Sequence, residues 1–152
     1  MSKKQVKGLV ILLQLFLIGA LFLPAGTIIE SSKNQDDATL SVFRMIDRYA
    51  GMGFADDARF YMIFACLFPA AIILLLLVLK ERKNFQAGIL LSAFYATASA
   101  CFYSAAKTKM VDYATMTILP NIIILISLVS MIMLIWGLFL DPPAEKSAQR
   151  KN

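Results

Sequence analysis

Four long uncharged runs, broken by short charged segments, dominate this chain. They hold 22 residues between Lys7 and Glu30, 20 between Arg59 and Lys80, 23 between Lys83 and Lys107, and 28 between Asp112 and Asp141. A bilayer core about 30 Å thick is crossed by roughly 20 apolar helical residues, so each run is long enough to span it. The pattern predicts an all-α integral membrane protein, a single membrane domain over 1–152 built as a four-transmembrane-helix bundle. The helices are expected at 8–29, 59–80, 85–106 and 118–140. Pro120 suits the first turn of the fourth, and Asp141-Pro142-Pro143 stops it.

The segment between the first two runs predicts one more helix, at 38–50. Asp36 and Asp37 stand at its start, where acids favour the helix dipole. At about 100° per residue, Val42, Phe43, Met45, Ile46, Tyr49 and Ala50 share one face, and Ser41, Arg44, Asp47 and Arg48 the other. Leu40 breaks the pattern, and Gly51 fits the left-handed residue that often ends a helix. Such a helix either rests its apolar face on the bundle or headgroups, or serves as a lid or docking element. Asp56 and Asp57 read as the N-terminal cap of the second span, since adjacent carboxylates diverge and supply too few ligands for a cation.

The third run differs from the others in its small residues. Gly88, Ser92, Ala96, Ala100 and Ser104 recur every fourth position, with Ala93, Thr97, Cys101 and Ala105 beside them. Small side chains at this spacing let helix backbones approach closely, so this helix is expected at the centre of the bundle. A different use of the polar groups is a solute or water path through Gln14, Thr97, Ser127 and Ser130, joined by Ser92 and Asn121. Against a path, the runs contain no ionisable group of the kind that pumps and proton-coupled carriers place in the membrane. Cys66 and Cys101 are symmetric about the charged turn near position 83, which predicts similar depth and a possible shared site. Packing as small apolar residues is the plainer use of both. Pro69 is expected to bend the second helix.

Charge gives the spans a direction. The N-terminal segment, the Lys80–Lys83 connection and the C-terminal tail carry nine basic residues, against six in the other two loops. Basic residues concentrate on the cytoplasmic side, so both termini are expected there, with the amphipathic helix in the first extracytoplasmic loop. Phe60, Tyr61, Tyr103 and Tyr113 fall at the outer boundary, and Trp136 and Phe139 near the inner one, as interfacial belts. The N-terminus resembles a signal peptide, with Lys3, Lys4 and Lys7 before an apolar run. Leu23 or Pro24 at the −3 position suits cleavage poorly, so the segment is expected to stay as the first span. Hydrophobic residues make up 59% of the chain, above the ~45–50% of a soluble domain.

Histidine is absent, which removes the commonest general base, the usual zinc ligand and bis-histidine haem ligation. The two cysteines form no CxxC, and no HExxH, GxSxG or phosphate-binding loop occurs. The topology is similar to that of claudin-like and MARVEL-like proteins, but the first loop has no tryptophan and no cysteine pair, so the claudin signature is missing. The sequence thus leads to a non-catalytic structural or accessory subunit of a membrane complex, with no cofactor, no metal and no catalytic residue. Its expected partners are the lipid bilayer and another membrane protein or a second copy, not nucleic acid, and its expected location is a bacterial plasma membrane. The alternative is a small-solute transporter or channel component with a Ser/Thr/Asn-lined path.

Overall fold

Helix α1 (Lys3–Ala20) opens on a reciprocal cap: Ser2 Oγ accepts from the Gln5 amide, and the Ser2 amide donates to Gln5 Oε1 at 2.7 Å. The computed structural model describes residues 2–29, 39–78 and 81–140. Thus the start of the expected 38–50 helix at position 38, with Asp36 and Asp37, lies outside the described residues, as does the chain beyond Leu140. The order of elements after α1 is strand β1 (Pro24–Ile28), β2 (Thr39–Ser41), helix α2 (Val42–Tyr49), a wide π-type turn (Ala50–Phe54), α3 (Ala55–Val78), α4 (Glu81–Lys109), β3 (Ala114–Met116) and α5 (Leu119–Phe139).

The first run is not helical to position 29. Leu21, Phe22 and Leu23 donate to carbonyls three residues back, tightening the last turn of α1. Pro24 then begins β1, where it has no amide to offer a helix. The strand is the centre of a three-stranded antiparallel sheet in the order β2-β1-β3, with Gly26 opposite Leu40 on one side and Met116 on the other. Ile28 and Ile29, β-branched residues suited to a strand, extend that pairing, with the Ile29 amide donating to the Tyr113 carbonyl at 3.0 Å. The fold is therefore mostly helical but not all-α. The sheet fastens the two connections at one end of the bundle to each other.

Helix α2 is shorter than expected, and Gly51 does not end it. The left-handed residue is Gly53, at φ 96°, inside the π-type turn that redirects the chain into α3. Pro69 is buried within α3. Helix α4 starts at Glu81, so Glu81, Arg82 and Lys83 of the charged cluster lie in its first turn. Helix α5 follows the expected 118–140 within one residue at each end, with Pro120 in its first turn.

The four long helices form a ring: α1 touches α3 and α5, and α4 touches the same two. Helix α4 is thus one corner of the ring, not an axial helix. The packing is inverted relative to a soluble protein. Large apolar side chains such as Leu12, Leu74, Leu77, Leu125, Trp136 and Phe139 point outward, while Gln14, Ser92, Ser99, Ser127 and Ser130 are buried. In water such an exterior would be costly at about 25 cal/mol per Å², whereas lipid removes that cost. The stretches Val42–Val78, Arg82–Lys109 and Leu119–Phe139 are each long and apolar enough to cross a membrane. These features mark a membrane protein.

Candidate functional site

Three internal features combine polar or reactive groups with space. The first lies midway along the bundle, between α1 and α5. Gln14 Nε2 donates to Ser130 Oγ at 3.0 Å, and both residues are fully buried. Among the described residues Gln14 Oε1 has no hydrogen-bond partner, and neither has the buried Ser92 Oγ. The α4–α5 register set by Gly88 against Leu134 puts Ser92, one turn further along, level with Ser130. Ser127 satisfies itself through the Ile123 carbonyl at 2.8 Å. Thr97 stands apart from this group: it is exposed on the α3–α4 side and donates to the Ala93 carbonyl at 3.0 Å. Gln14 and Ser130 are therefore joined, Ser127 lies on the same buried face of α5, and Thr97 does not meet them.

The small-residue row divides in two. Gly88, Ser92 and Ala96 are buried, and a Cβ at Gly88 would come 3.0 Å from Leu134 Cδ1. Ala100 and Ser104 instead line a cavity of about 570 Å³ with Tyr103, Lys107, Thr117 and Asn121. Ala114, Thr115 and Met116 of β3, which lies between α4 and α5 in the chain, line the same cavity. The row serves close packing at one end and borders an open space at the other.

The second feature is a group of hydroxyls between α3 and α4. Tyr61, Tyr95, Tyr103 and Ser99 are all buried, and Tyr61 Oη lies 3.4 Å from Ser99 Oγ. Tyr61 also stacks on Phe102 with ring centroids 4.1 Å apart and meets Tyr103 edge-on at 5.5 Å. The Tyr95 and Tyr103 hydroxyls belong to the same group, but among the described residues neither has a partner at hydrogen-bond geometry. Tyr61 and Tyr103 thus turn inward and are not part of an interfacial belt; Phe60, Trp136 and Phe139 face outward. A signal for this group was present in the sequence, because Tyr95, Ser99 and Tyr103 are four apart and share a face of α4.

The same contacts set the depth of the cysteines. Tyr61 is level with the 99–102 turn of α4, so Cys66, five residues on, is level with the turn before it. Cys101 sits about 7 Å nearer the sheet end than Cys66, at 1.5 Å per residue. Both thiols are free and exposed. The two cysteines are not mirrored about position 83, because α4 already begins at Glu81.

The third feature is a cavity of about 480 Å³ between α3 and α4, roofed by the end of α2. Asp57, Phe60, Tyr61 and Phe64 of α3 line it at helical spacing, facing Phe94, Thr97, Ala98, Cys101, Phe102 and Ala105 of α4, with Tyr49 above. Among the described residues, Asp57 in the first turn of α3 is its sole charged wall residue. Among the described residues, no group of three or more cysteine and carboxylate side chains is placed to hold a metal ion. No protein family, curated protein or solved structure matches the chain.

Proposed function

We propose that this protein is a non-catalytic accessory subunit of a membrane complex, which presents a rigid extramembrane platform to a partner. The observation that carries this reading is the attachment of α2 to the bundle. Val42, Met45, Ile46 and Tyr49 are buried in one core with Leu40 of the sheet and Tyr61, Phe102 and Ile123 of the helices. The polar face, with Arg44, Asp47 and Arg48, points outward. Asp47, Arg48, Ala50, Gly51, Met52 and Tyr113 border a shallow cavity of about 360 Å³ on that face. A fixed charged surface with an exposed methionine suits recognition of another protein.

In this proposal α1 is the fourth span, tilted or shortened by the strand that follows it. Three of its first five residues are lysines, which leaves its apolar part shorter than those of the other helices. Both termini then face the cytoplasm, the sheet and α2 lie outside, and the membrane is a bacterial plasma membrane. The basic residues of α1 and of the α4 start at one end support that direction. The alternative solute path draws support from the Gln14–Ser130 contact and the buried Ser92 hydroxyl level with it, but Leu17 on one side and Val10 and Leu134 on the other are buried apolar neighbours of that contact.

Mild-detergent purification after in-membrane crosslinking tests the proposal. A defined partner should crosslink to residues of the α2 face, and R44E/R48E should abolish capture while the bundle stays folded. Recovery of an unaccompanied monomer, or capture indifferent to that double substitution, would overturn it. Modification of a cysteine at Ser2 only by membrane-permeant reagents is expected of the proposed topology.

A further inference from the structure

We infer that the α3–α4 cavity is a binding site for a cationic amphiphile, an ammonium head carried on an apolar chain, taken up from the surrounding bilayer. The accessory-subunit reading does not depend on it. Six of the cavity's wall residues are aromatic: Tyr49, Phe60, Tyr61, Phe64, Phe94 and Phe102. Its volume of about 480 Å³ falls within the roughly 300–1,000 Å³ of small-molecule sites. Phe60 and Phe94 are 61% and 56% exposed, so the opening faces the same surroundings as the apolar exterior, and a molecule dissolved in lipid can enter sideways.

The walls grade from polar to apolar along the helix axis. Asp57 and Tyr49 lie at the sheet end of the cavity, and Phe64 and Phe94 lie two turns deeper. At this end the Lys109 ammonium lies over the Phe54 ring, 5.3 Å from its centroid, and is not among the cavity's wall residues. A carboxylate bordered by aromatic faces attracts a cation by charge and by ring quadrupole, and it repels an anionic head. The deeper aromatic walls take an alkyl chain. Head at the surface and chain in the membrane is also how an amphiphile lies in a bilayer, so binding demands no inversion. A neutral lipid would use the walls but not Asp57. An acidic one would meet a like charge.

The two free cysteines supply the readout. Cys101 is a wall residue, while Cys66 is exposed on α3 without lining the cavity. The 152-residue chain is placed in phosphatidylcholine nanodiscs and treated with an uncharged maleimide, and the modification rate of each cysteine is followed by peptide mass spectrometry. Dodecyltrimethylammonium should slow Cys101 at least about fivefold at concentrations where dodecyl maltoside and dodecyl sulfate slow it less than twofold. The Cys66 rate should be unchanged with all three. D57N should remove the preference for the cation, with an unchanged Cys66 rate showing that the helices remain in place. Equal protection by the uncharged and cationic probes, no protection by any, or a preference that survives D57N would overturn the inference.

Discussion

Gly137 of α5 lies against the ring of Phe85 of α4, so closely that a Cβ at position 137 would stand 2.5 Å from Phe85 Cε1. Phe85 is fully buried and cannot swing aside without disturbing Val10, Ile72 and Leu76 in the same core. G137A is therefore expected to destabilise the bundle by about 1–3 kcal/mol, the usual cost of overpacking. F85L in the G137A background should recover part of that loss, because the smaller side chain reopens the space. Thermal unfolding of the single and double variants in detergent measures both effects. Wild-type stability for G137A would mean that the helices do not approach as described.

The Gln14–Ser130 contact predicts an asymmetry. S130A leaves the buried Gln14 amide with no partner for either its nitrogen or its oxygen. Stranding a buried polar group costs more than removing both members of a pair. The expected loss is about 1 kcal/mol, within the range measured for hydrogen bonds between membrane helices. Q14L deletes the stranded oxygen along with the donor and should cost less, and Q14L/S130A should be more stable than S130A alone. Equilibrium unfolding of the three variants decides. If Q14L were the most damaging, Gln14 would have a use beyond this contact.

These comparisons show which parts of the fold the sequence could disclose. Span positions follow from the absence of charge, a local property, so α5 begins and ends within a residue of its expected bounds. The apolar face of α2 was legible for the same reason: Val42, Met45, Ile46 and Tyr49 repeat at helical spacing and are buried. The sheet was hidden because its strands are as short as three residues and pair across long separations, as Gly26 does with Met116. No hydrophobic periodicity survives at that length. The cavity is not legible in the sequence because its walls come from three helices and depend on a register that starts at Glu81. Once Tyr61 is level with Ser99, Asp57, Phe94 and Cys101 fall around one space.

Two neighbouring glycines separate backbone conformation from available room. Gly53 adopts φ 96°, and Gly51 does not adopt a positive φ. Neither would place a Cβ within 4 Å of another residue. G53A should cost about 1–2 kcal/mol, the penalty for a side chain in the left-handed region, with no steric contribution. G51A should leave stability within about 0.5 kcal/mol, as expected of an exposed substitution without strain. Parallel unfolding curves are the measurement. Equal losses at both positions would show that the turn itself, and not its conformation at Gly53, is the sensitive element.

Tyr49 joins the platform to the bundle. It is 1% exposed, stacks on Phe54 at 4.9 Å and meets Phe102 edge-on at 5.4 Å, so one side chain links α2, the turn and α4. Truncating a buried aromatic to alanine typically costs about 3–5 kcal/mol. In Y49A the loss should concentrate at the platform, because α3 and α4 keep their own contact through Tyr61 and Phe102. Trypsin reports the difference. Arg44 and Arg48 lie on α2, and cleavage there requires the helix to open locally. Wild type and Y49F, which keeps the ring, should resist cleavage, while Y49A is cut at both sites with its bundle intact. If Y49A resisted trypsin as well as wild type, burial of Val42, Met45 and Ile46 alone would suffice to hold α2, and Tyr49 would not be the fastening residue.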